Sequence, residues 1–494
     1  MSCVLAFLAV LQGGVSVPSV IVTDPGPGPT GRYLAAVLSR ADTKILTGDS
    51  IVIAHDATFP GSVVAVARNV VDNGSVGGSL IVVGGDLFLR PNARVGGEAI
   101  AFGGAVYPSL LAQVRNGSAS YRDFTFLAED VNGTIELRYH ELNAPAPDHP
   151  VVPLPDWLTT TIPTYDRSDG VSVSLGPSVS GGNFSATALG TYRSQRGVVD
   201  PSATVSWLAA RRLRVDVFGG REKRSNERWI TSDFTNSLNT LFAGHDTRNY
   251  YRADAADLTV RRMVELPSVI LEPRLGFRYE DASSARPALP PFSHPWSITD
   301  RNDPADEMRR PNPQIPRSRM TSAVLGTTAD WPGDRARAKL DTWVEIPFSI
   351  DSAGRFTQAT LDGQIIVPTF GAQRFRFDVH GVLTAGDTAP RQRWAYLGGS
   401  GTLSTMDSLL TMGGGELLFM EGRYIVPIEQ LRLPFVGSPL LAFRYVVGGA
   451  GPTSLPEMTQ IAGVRLSLAV IRAEFLHDFT HQRSRFHVDL ALVR

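Results

Sequence analysis

The stretch Val269–Tyr279, VILEPRLGFRY, decides the fold. Val269, Leu271, Leu275, Phe277 and Tyr279 are apolar, and Glu272, Arg274 and Arg278 fall on the intervening positions. Successive side chains of a strand point to opposite faces, so this stretch has one apolar side and one side charged with both signs. The pattern recurs along the chain. Arg337, Lys339, Asp341 and Glu345 oppose Ala338, Leu340, Val344 and Ile346. Arg374, Arg376, Asp378 and His380 oppose Phe375, Phe377 and Val379, and Arg485, His487 and Asp489 oppose Phe486, Val488, Leu490 and Leu492. A soluble sandwich also alternates, but its polar face meets bulk water and has no need of systematic charge of both signs. Segments of about ten residues with this alternation are what a tilted strand crossing a bilayer requires, with lipid outside and a wet, salt-bridged lumen inside. The expected lumen-facing residues are Glu272, Arg274, Arg278, Arg337, Lys339, Asp341, Arg374, Arg376 and Asp378.

Counting back from Arg494 gives strands at Arg485–Val493, Ile471–Phe479, Ala462–Ala469, Leu440–Gly449 and Glu416–Pro427. Before a Gly-dense loop come Arg374–Thr384, Phe356–Pro368, Ala336–Pro347, Thr321–Trp331, Ser268–Asp281 and Tyr250–Met263, then four more between Val171 and Arg224. That makes fifteen, and single-chain bacterial barrels have even numbers. The expectation is therefore an all-β chain with a 16-stranded antiparallel transmembrane barrel over residues 169–494, its unseen strand near Asn226–Thr235. Asp233–Ala243 reads otherwise as a short capped helix with Leu238, Leu241 and Phe242 on one face. With both termini on one side, parity places the Asp281–Met320 connection and the Gly-dense loop at one end. The short turns Glu265–Pro267 and Pro332–Arg335 fall at the other.

Upstream, Gly61–Val70 (GSVVAVARNV) recurs as Gly78–Leu87 (GSLIVVGGDL) and Gly97–Val106 (GEAIAFGGAV). A short β-branched run followed by a Gly turn cannot bury its own apolar face, whereas stacked copies form a continuous ladder. Residues 40–142 are expected to form a β-solenoid that resembles the core of bactofilins, with Phe124–Leu142 capping the stack. Met1–Val22 is the only long apolar run and is expected to be an export signal that includes the single cysteine, Cys3. Residues 143–168 contain Pro145, Pro147, Pro150, Pro153, Pro155 and Pro163 and read as a stiff extended linker.

The Gly-dense loop lies in Arg391–Ile428, RQRWAYLGGSGTLSTMDSLLTMGGGELLFMEGRYIVPI. Gly398, Gly399, Thr402 and Leu403, with Tyr424–Pro427 after them, resemble the end of the barrel in the outer-membrane assembly and translocation superfamily, whose simpler members are called bacterial surface antigens. In that family a loop reading Gly-Gly-x-x-Ser/Thr-Leu/Val-Arg-Gly-Tyr/Phe folds back into the barrel, and five strands follow it, as here. Ser404, Thr405 and Met406 occupy the positions of the family's Arg-Gly-aromatic tip. In the family that Arg pairs with acidic lumen residues, so Ser404 implies a more loosely held lid. The resemblance implies a non-enzymatic pore or protein assembly and translocation role in a bacterial outer membrane, with the N-terminal region in the periplasm. The implied partners are outer-membrane lipid and other outer-membrane or periplasmic proteins. The alternative is a scaffold that ties a periplasmic polymer, self-associating through the solenoid, to the membrane.

Over 494 residues the net charge is −1, which gives no electrostatic footprint for nucleic acid. With 47 Gly and 34 Pro, yet 43% hydrophobic residues, the chain is turn-rich and folded. Nothing in the sequence calls for a cofactor. Gly48–Ile51 resembles the nucleophile block of one esterase family, and Asp478 and His481 have the spacing of its distal pair. The intermediate blocks are missing, and an exported esterase built on Ser50 is only a remote alternative. His477, His481 and His487 read as wall or loop residues and not as metal ligands.

Overall fold

The computed structural model describes residues 19–490 apart from 27, 110, 122–123, 143–150, 154–156, 211, 286–309, 333–335, 352–353, 371–372, 407–408, 429–430, 432–438 and 469–470. Most of the expected export segment, Cys3 included, lies outside the described residues, as do Pro145, Pro147, Pro150, Pro155, Leu492 and the side chains of His487, Asp489 and Leu490. The fold is all-β: a small solenoid followed by a barrel-like antiparallel sheet.

The solenoid is three-sided. One face stacks Lys44–Thr47, Val63–Val66, Leu80–Val83, Ala99–Phe102 and Ser118–Tyr121 in parallel, and the other two faces have four strands each. Val63 pairs with Leu80 and Leu80 with Ala99, so the repeat in the sequence is the rung of the ladder. Val63, Ala65, Leu80, Val82 and Ala99 point inward and form the dry interior with Val70, Leu87 and Val95. Alternate residues of the same strands, Val64, Ile81, Val83, Ile100 and Phe102, point outward. They are covered by helix α1 (Pro29–Leu38) and by Phe124, Phe126 and Leu137 of the hairpin Phe124–Val131/Thr134–Glu141. Burial on both faces explains why these runs read as continuously apolar. The rungs also demand glycine at their corners, since a Cβ on Gly96 would lie 2.1 Å from the carbonyl oxygen of Gly77.

The large sheet has nineteen hydrogen-bonded segments. Leu158–Thr161 and Thr164–Asp166 both pair with Gly170–Gly181 and are one strand broken at Ile162–Pro163; Tyr251–Arg262 and Val264–Glu265 both pair with Ile270–Ser284. Leaving aside the three-residue edge piece Val151–Pro153, sixteen wall strands remain. They are β1 (158–166), β2 (Gly170–Gly181), β3 (Phe184–Arg193), β4 (Val198–Ala210), β5 (Leu213–Arg224), β6 (251–265), β7 (Ile270–Ser284) and β8 (Ser318–Trp331). There follow β9 (Arg337–Ile350), β10 (Phe356–Pro368), β11 (Arg374–Gly386), β12 (Glu416–Pro427), β13 (Leu440–Gly451), β14 (Thr459–Leu468), β15 (Ile471–Asp478) and β16 (Arg483–Leu490).

The unseen strand is therefore β1, inside the proline-rich stretch, and not Asn226–Thr235. The latter leads into helix α2 (Asp233–Ala243), whose Ser232 hydroxyl accepts from the Thr235 amide and whose C-cap is Gly244 at φ 69°. These are standard start and stop signals. Ser237 and Thr240 of α2 are buried, whereas Phe242 is 41% exposed, so the face expected from Leu238, Leu241 and Phe242 is not the packed one.

Val171, Phe184, Trp207, Val217, Leu258, Leu275, Leu325, Phe348, Ile365 and Leu383 are exposed, one from each strand of β2 to β11. Phe443, Val464, Phe475 and Phe486 continue the belt on β13 to β16. The free edge of β1 is covered in two ways. Val151–Pro153 pairs with Thr159–Thr161, and the Tyr165 amide donates to Ser237 Oγ of α2 at 2.9 Å. Helix α2 contacts both β1 and β16. An edge left bare would be a template for unwanted pairing.

The solenoid sits against consecutive turns at one end of the barrel. Arg212 after β4 donates to Tyr139 Oη, Arg337 at the start of β9 reaches Glu98 at 3.5 Å, and Arg115 donates to the Gln373 carbonyl before β11 at 2.7 Å.

Within the solenoid, Asp72 is wholly buried; its Oδ1 accepts from the Gly74 amide at 2.9 Å and its Oδ2 has no hydrogen-bond partner among the described residues. Burial pushes its carboxyl up to about 6 from an ordinary 3.8. Because the folded value is the higher one, the native state binds the extra proton, and stability falls as pH rises between those values. Asp72→Asn is expected to raise the unfolding temperature of the solenoid at neutral pH and to flatten that pH dependence, which thermal melts across this range measure directly.

Candidate functional site

The connection 387–415 between β11 and β12 runs back into the barrel and does not arch away from it. Ala395–Leu397 and Met412–Gly414 pair as a short hairpin. Leu397 and Leu403 are fully buried against Val382, Leu417, Phe419, Val446, Ile461 and Leu476, which are inward residues of β11 to β15. Gly398, Gly399 and Gly401 have φ of 129°, 71° and 91°, and a Cβ on Gly399 would lie 2.8 Å from the Leu409 side chain. Glycine is thus required for the turn and for the close approach. Thr402 closes the turn by accepting from the Gly398 amide at 3.0 Å.

The loop makes polar contacts at both its tip and its base. At the tip, Thr405 donates to Asp478 of β15 at 3.2 Å, and Arg485 of β16 donates to the carbonyls of Ser404 and Met406 at 3.4 and 2.7 Å. At the base, Arg393 is 4% exposed and is clamped by two fully buried carboxylates. It donates to both oxygens of Glu345 on β9, at 2.7 and 3.0 Å, and to Glu280 on β7 at 2.9 Å. Glu280 also takes Arg224 of β5 at 2.7 Å. Paired, bidentate guanidinium contacts of this kind are the strong ones, and they make a buried charge tolerable. The sequence offers Glu345 only as one member of a charged face. The signal for Arg393 is a basic residue at the mouth of a loop expected to enter a lumen charged with both signs.

A second connection, 225–250, also folds inward and meets the first. Asn226 donates to the carbonyls of Gln392 and Trp394 at 3.0 and 2.8 Å. Trp229 stacks on His380 of β11 with ring centroids 4.2 Å apart and packs beside Phe419. Buried Asp246 accepts from the Arg167 amide, Asn236 and Tyr250, which ties α2 to the β1–β2 turn. Arg310 donates to the Asp246 and Arg248 carbonyls and adds the far side of the β7–β8 connection. The end of the barrel remote from the solenoid is thus packed with loop side chains from several turns.

Toward the solenoid end a cavity of about 610 Å³ remains. Lys339, Asp341, Arg374, Arg376 and Asp378, all read from the sequence as inward-facing, line it together with Glu421, Arg423, Arg465 and Arg472. Of the other inward candidates, Arg274 pairs with Asp341, and Arg278 lies 3.0 Å from Asp257. Glu272 meets Arg261 at 3.7 Å, and Arg337 meets Asp330 at 3.3 Å and the solenoid's Glu98. Gly398, Gly399, Thr402, Leu403 and Ser404 gather in the in-folded loop.

The esterase residues do not come together. Ser50 is in a solenoid strand, whereas Asp478 and His481 bond each other at 3.0 Å across the β15–β16 turn, at the end of the barrel remote from the solenoid. His477 bonds Ser484 at 2.9 Å. Among the described residues no group of three or more His, Cys, Asp or Glu is placed to hold a metal ion.

No family model matches the chain, and no curated protein does. Among solved structures, CdiB from Escherichia coli is 11% identical with a TM-score of 0.41, over 74% of this chain and 66% of that one. CdiB from Acinetobacter baumannii is 10% identical with a TM-score of 0.38, over 75% and 66%. BamA from Haemophilus ducreyi lacking POTRA domains 1–3 is 12% identical with a TM-score of 0.40, over 74% and 73%. The chain thus spans just under two thirds of each CdiB chain, and a likeness this distant adds nothing to the argument from the residues.

Arg393→Ala leaves Glu345 and Glu280 facing each other without their shared cation. Loss of one partner from a buried pair costs about 3–5 kcal/mol. The folded species is therefore expected to unfold at a clearly lower temperature on semi-native gels, and adding Glu345→Gln to Arg393→Ala is expected to recover part of the loss.

Proposed function

We propose that the protein is an outer-membrane β-barrel of the surface-antigen type, with the solenoid in the periplasm and a non-catalytic role in protein assembly or translocation. The observation that carries this reading is the segregation of the wall: an exposed apolar belt that recurs strand after strand, set against inward-facing charges, most of them paired, around in-folded loops. Hydrocarbon favours such an outer face, and a β-barrel is one of the two kinds of structure able to cross it. No described helix is long and apolar enough to span a bilayer. The 387–415 loop acts as a lid, held by Arg393 at its base and Arg485 at its tip. Partners are outer-membrane lipid on the belt and other outer-membrane or periplasmic proteins at the solenoid.

The membrane-extracted protein is expected to migrate as a compact species that shifts on boiling. A chain that stays soluble and monodisperse without detergent would overturn the membrane reading. In planar bilayers, deletion of 398–413 is expected to raise the single-channel conductance, and an unchanged conductance would remove the lid.

A scaffold role is the second reading, and one observation favours it. Lys44–Thr47, Ser50–Ile53 and Thr58–Phe59 form the first rung, and among the described residues no strand pairs with their outer edges, where Val52 is 69% exposed. Sedimentation of the full chain in detergent is expected to show concentration-dependent oligomers in that case. A monomer at every concentration excludes it.

A further inference from the structure

The cavity near the solenoid end is unbalanced in charge. Arg228, Lys339, Arg374, Arg376, Arg423, Arg465 and Arg472 line it against only Asp341, Asp362, Asp378 and Glu421. The excess sits on one side, on β11 to β15. Register places Arg376 directly opposite Arg423, and Arg423 directly opposite Arg444, while Asp378 faces Glu421. Like charges directly opposite across a ladder are destabilising. Contacts along one strand and diagonally between strands relieve part of this: Asp378 takes Arg376 of its own strand at 2.8 Å and Arg423 at 2.6 Å, and Glu421 takes Arg444 at 2.6 Å. Glu474 takes Arg444 at 3.1 Å and Arg472 at 3.4 Å, and also Arg465. The carboxylates of this wall are therefore each shared by two or more guanidiniums.

Arg374 is left over. It has no carboxylate partner among the described residues, and the charged groups that act on it are Arg376, Arg423 and the solenoid's Arg115, all cationic. Arg115 is held at this place by the carbonyl of Gln373, the residue before Arg374. Guanidiniums from two parts of the chain thus converge beside Arg374, at the solenoid end of a cavity whose other end is lined by Trp229, Ile230, Ser400 and Gly401. A low-dielectric recess with surplus charge of one sign focuses its field and concentrates counter-ions. Planar five-donor forks suit a tetrahedral oxyanion, which can take two donors from each.

We propose that this recess is a binding site for a phosphate-bearing solute entering from the solenoid side, with Arg374 as its principal ligand and Arg376 and Arg423 beside it. The bound oxyanion supplies the negative charge that the wall lacks. The inference does not depend on what the barrel assembles or conducts.

The test is calorimetric titration of the detergent-solubilised full chain with inorganic pyrophosphate at low salt. Saturable binding is expected, weakened at least tenfold by Arg374→Gln and less by Arg374→Lys, which keeps the charge but loses the fork. Since Arg374 pairs with no carboxylate among the described residues, its replacement strands none of them, and the heat-shift on gels verifies folding. Arg221→Gln, which removes a surface partner of Asp254, is the control expected to bind like the wild type. Absence of binding by the folded wild type, or equal binding by both Arg374 variants, overturns the site. Mixed micelles of phosphatidylglycerol distinguish the source of phosphate: saturation by that lipid and not by pyrophosphate also overturns a solute site.

Discussion

A loop arginine buried between two glutamates of the wall is the interaction on which this interior depends. A wall that alternates apolar and charged residues sends all its charge into the space it encloses, where water is scarce and unpaired ions are costly. Arg393 answers this for Glu280 and Glu345 and at the same time pins a long loop inside the wall. Its own burial is possible because those carboxylates satisfy both edges of the guanidinium. Closure of one end of the barrel therefore follows from charge neutralisation as much as from apolar contact. The leucines of the same loop then fill the space beside Phe419 and Val446.

The two ends of the barrel differ in how that neutralisation is met. Remote from the solenoid, loop residues complete it: Asp246 collects donors from three parts of the chain, and Asp478 receives Thr405. Near the solenoid no loop enters among the described residues, and there the guanidiniums of β11 to β15 outnumber the carboxylates of Asp378, Glu421 and Glu474. The solenoid adds a further cation there, through Arg115. An unfilled volume and an unmet charge thus occur in the same place.

Several features were legible in the sequence because they are local. The period-two alternation of Val269–Tyr279 belongs to one strand, and the solenoid repeats of Gly61–Val70 and Gly78–Leu87 are successive rungs whose pairing preserves their spacing. Helix α2 coincides with the short capped helix read as the alternative over Asp233–Ala243, and Ser232 and Gly244 are its caps. The strand over 158–166 was not legible in this way. Its threonines and the Ile162–Pro163 break give no clean alternation, and its place comes from pairing with Gly170–Gly181 on one side and from cover by Val151–Pro153 and α2 on the other.

The sequence by itself determined an all-β chain: a stacked apolar repeat, then a wall with one face for hydrocarbon and one for charge, because side-chain period is a property of each strand alone. Only the tertiary structure decided which charges meet. Arg393 reaches Glu280 across 113 residues of chain and Glu345 across 48, and no spacing rule links them. The same holds for the leftover Arg374, since a surplus is defined by what the neighbouring strands bring to it. Ion pairing inside such a sheet depends on register and curvature, which the whole chain sets together.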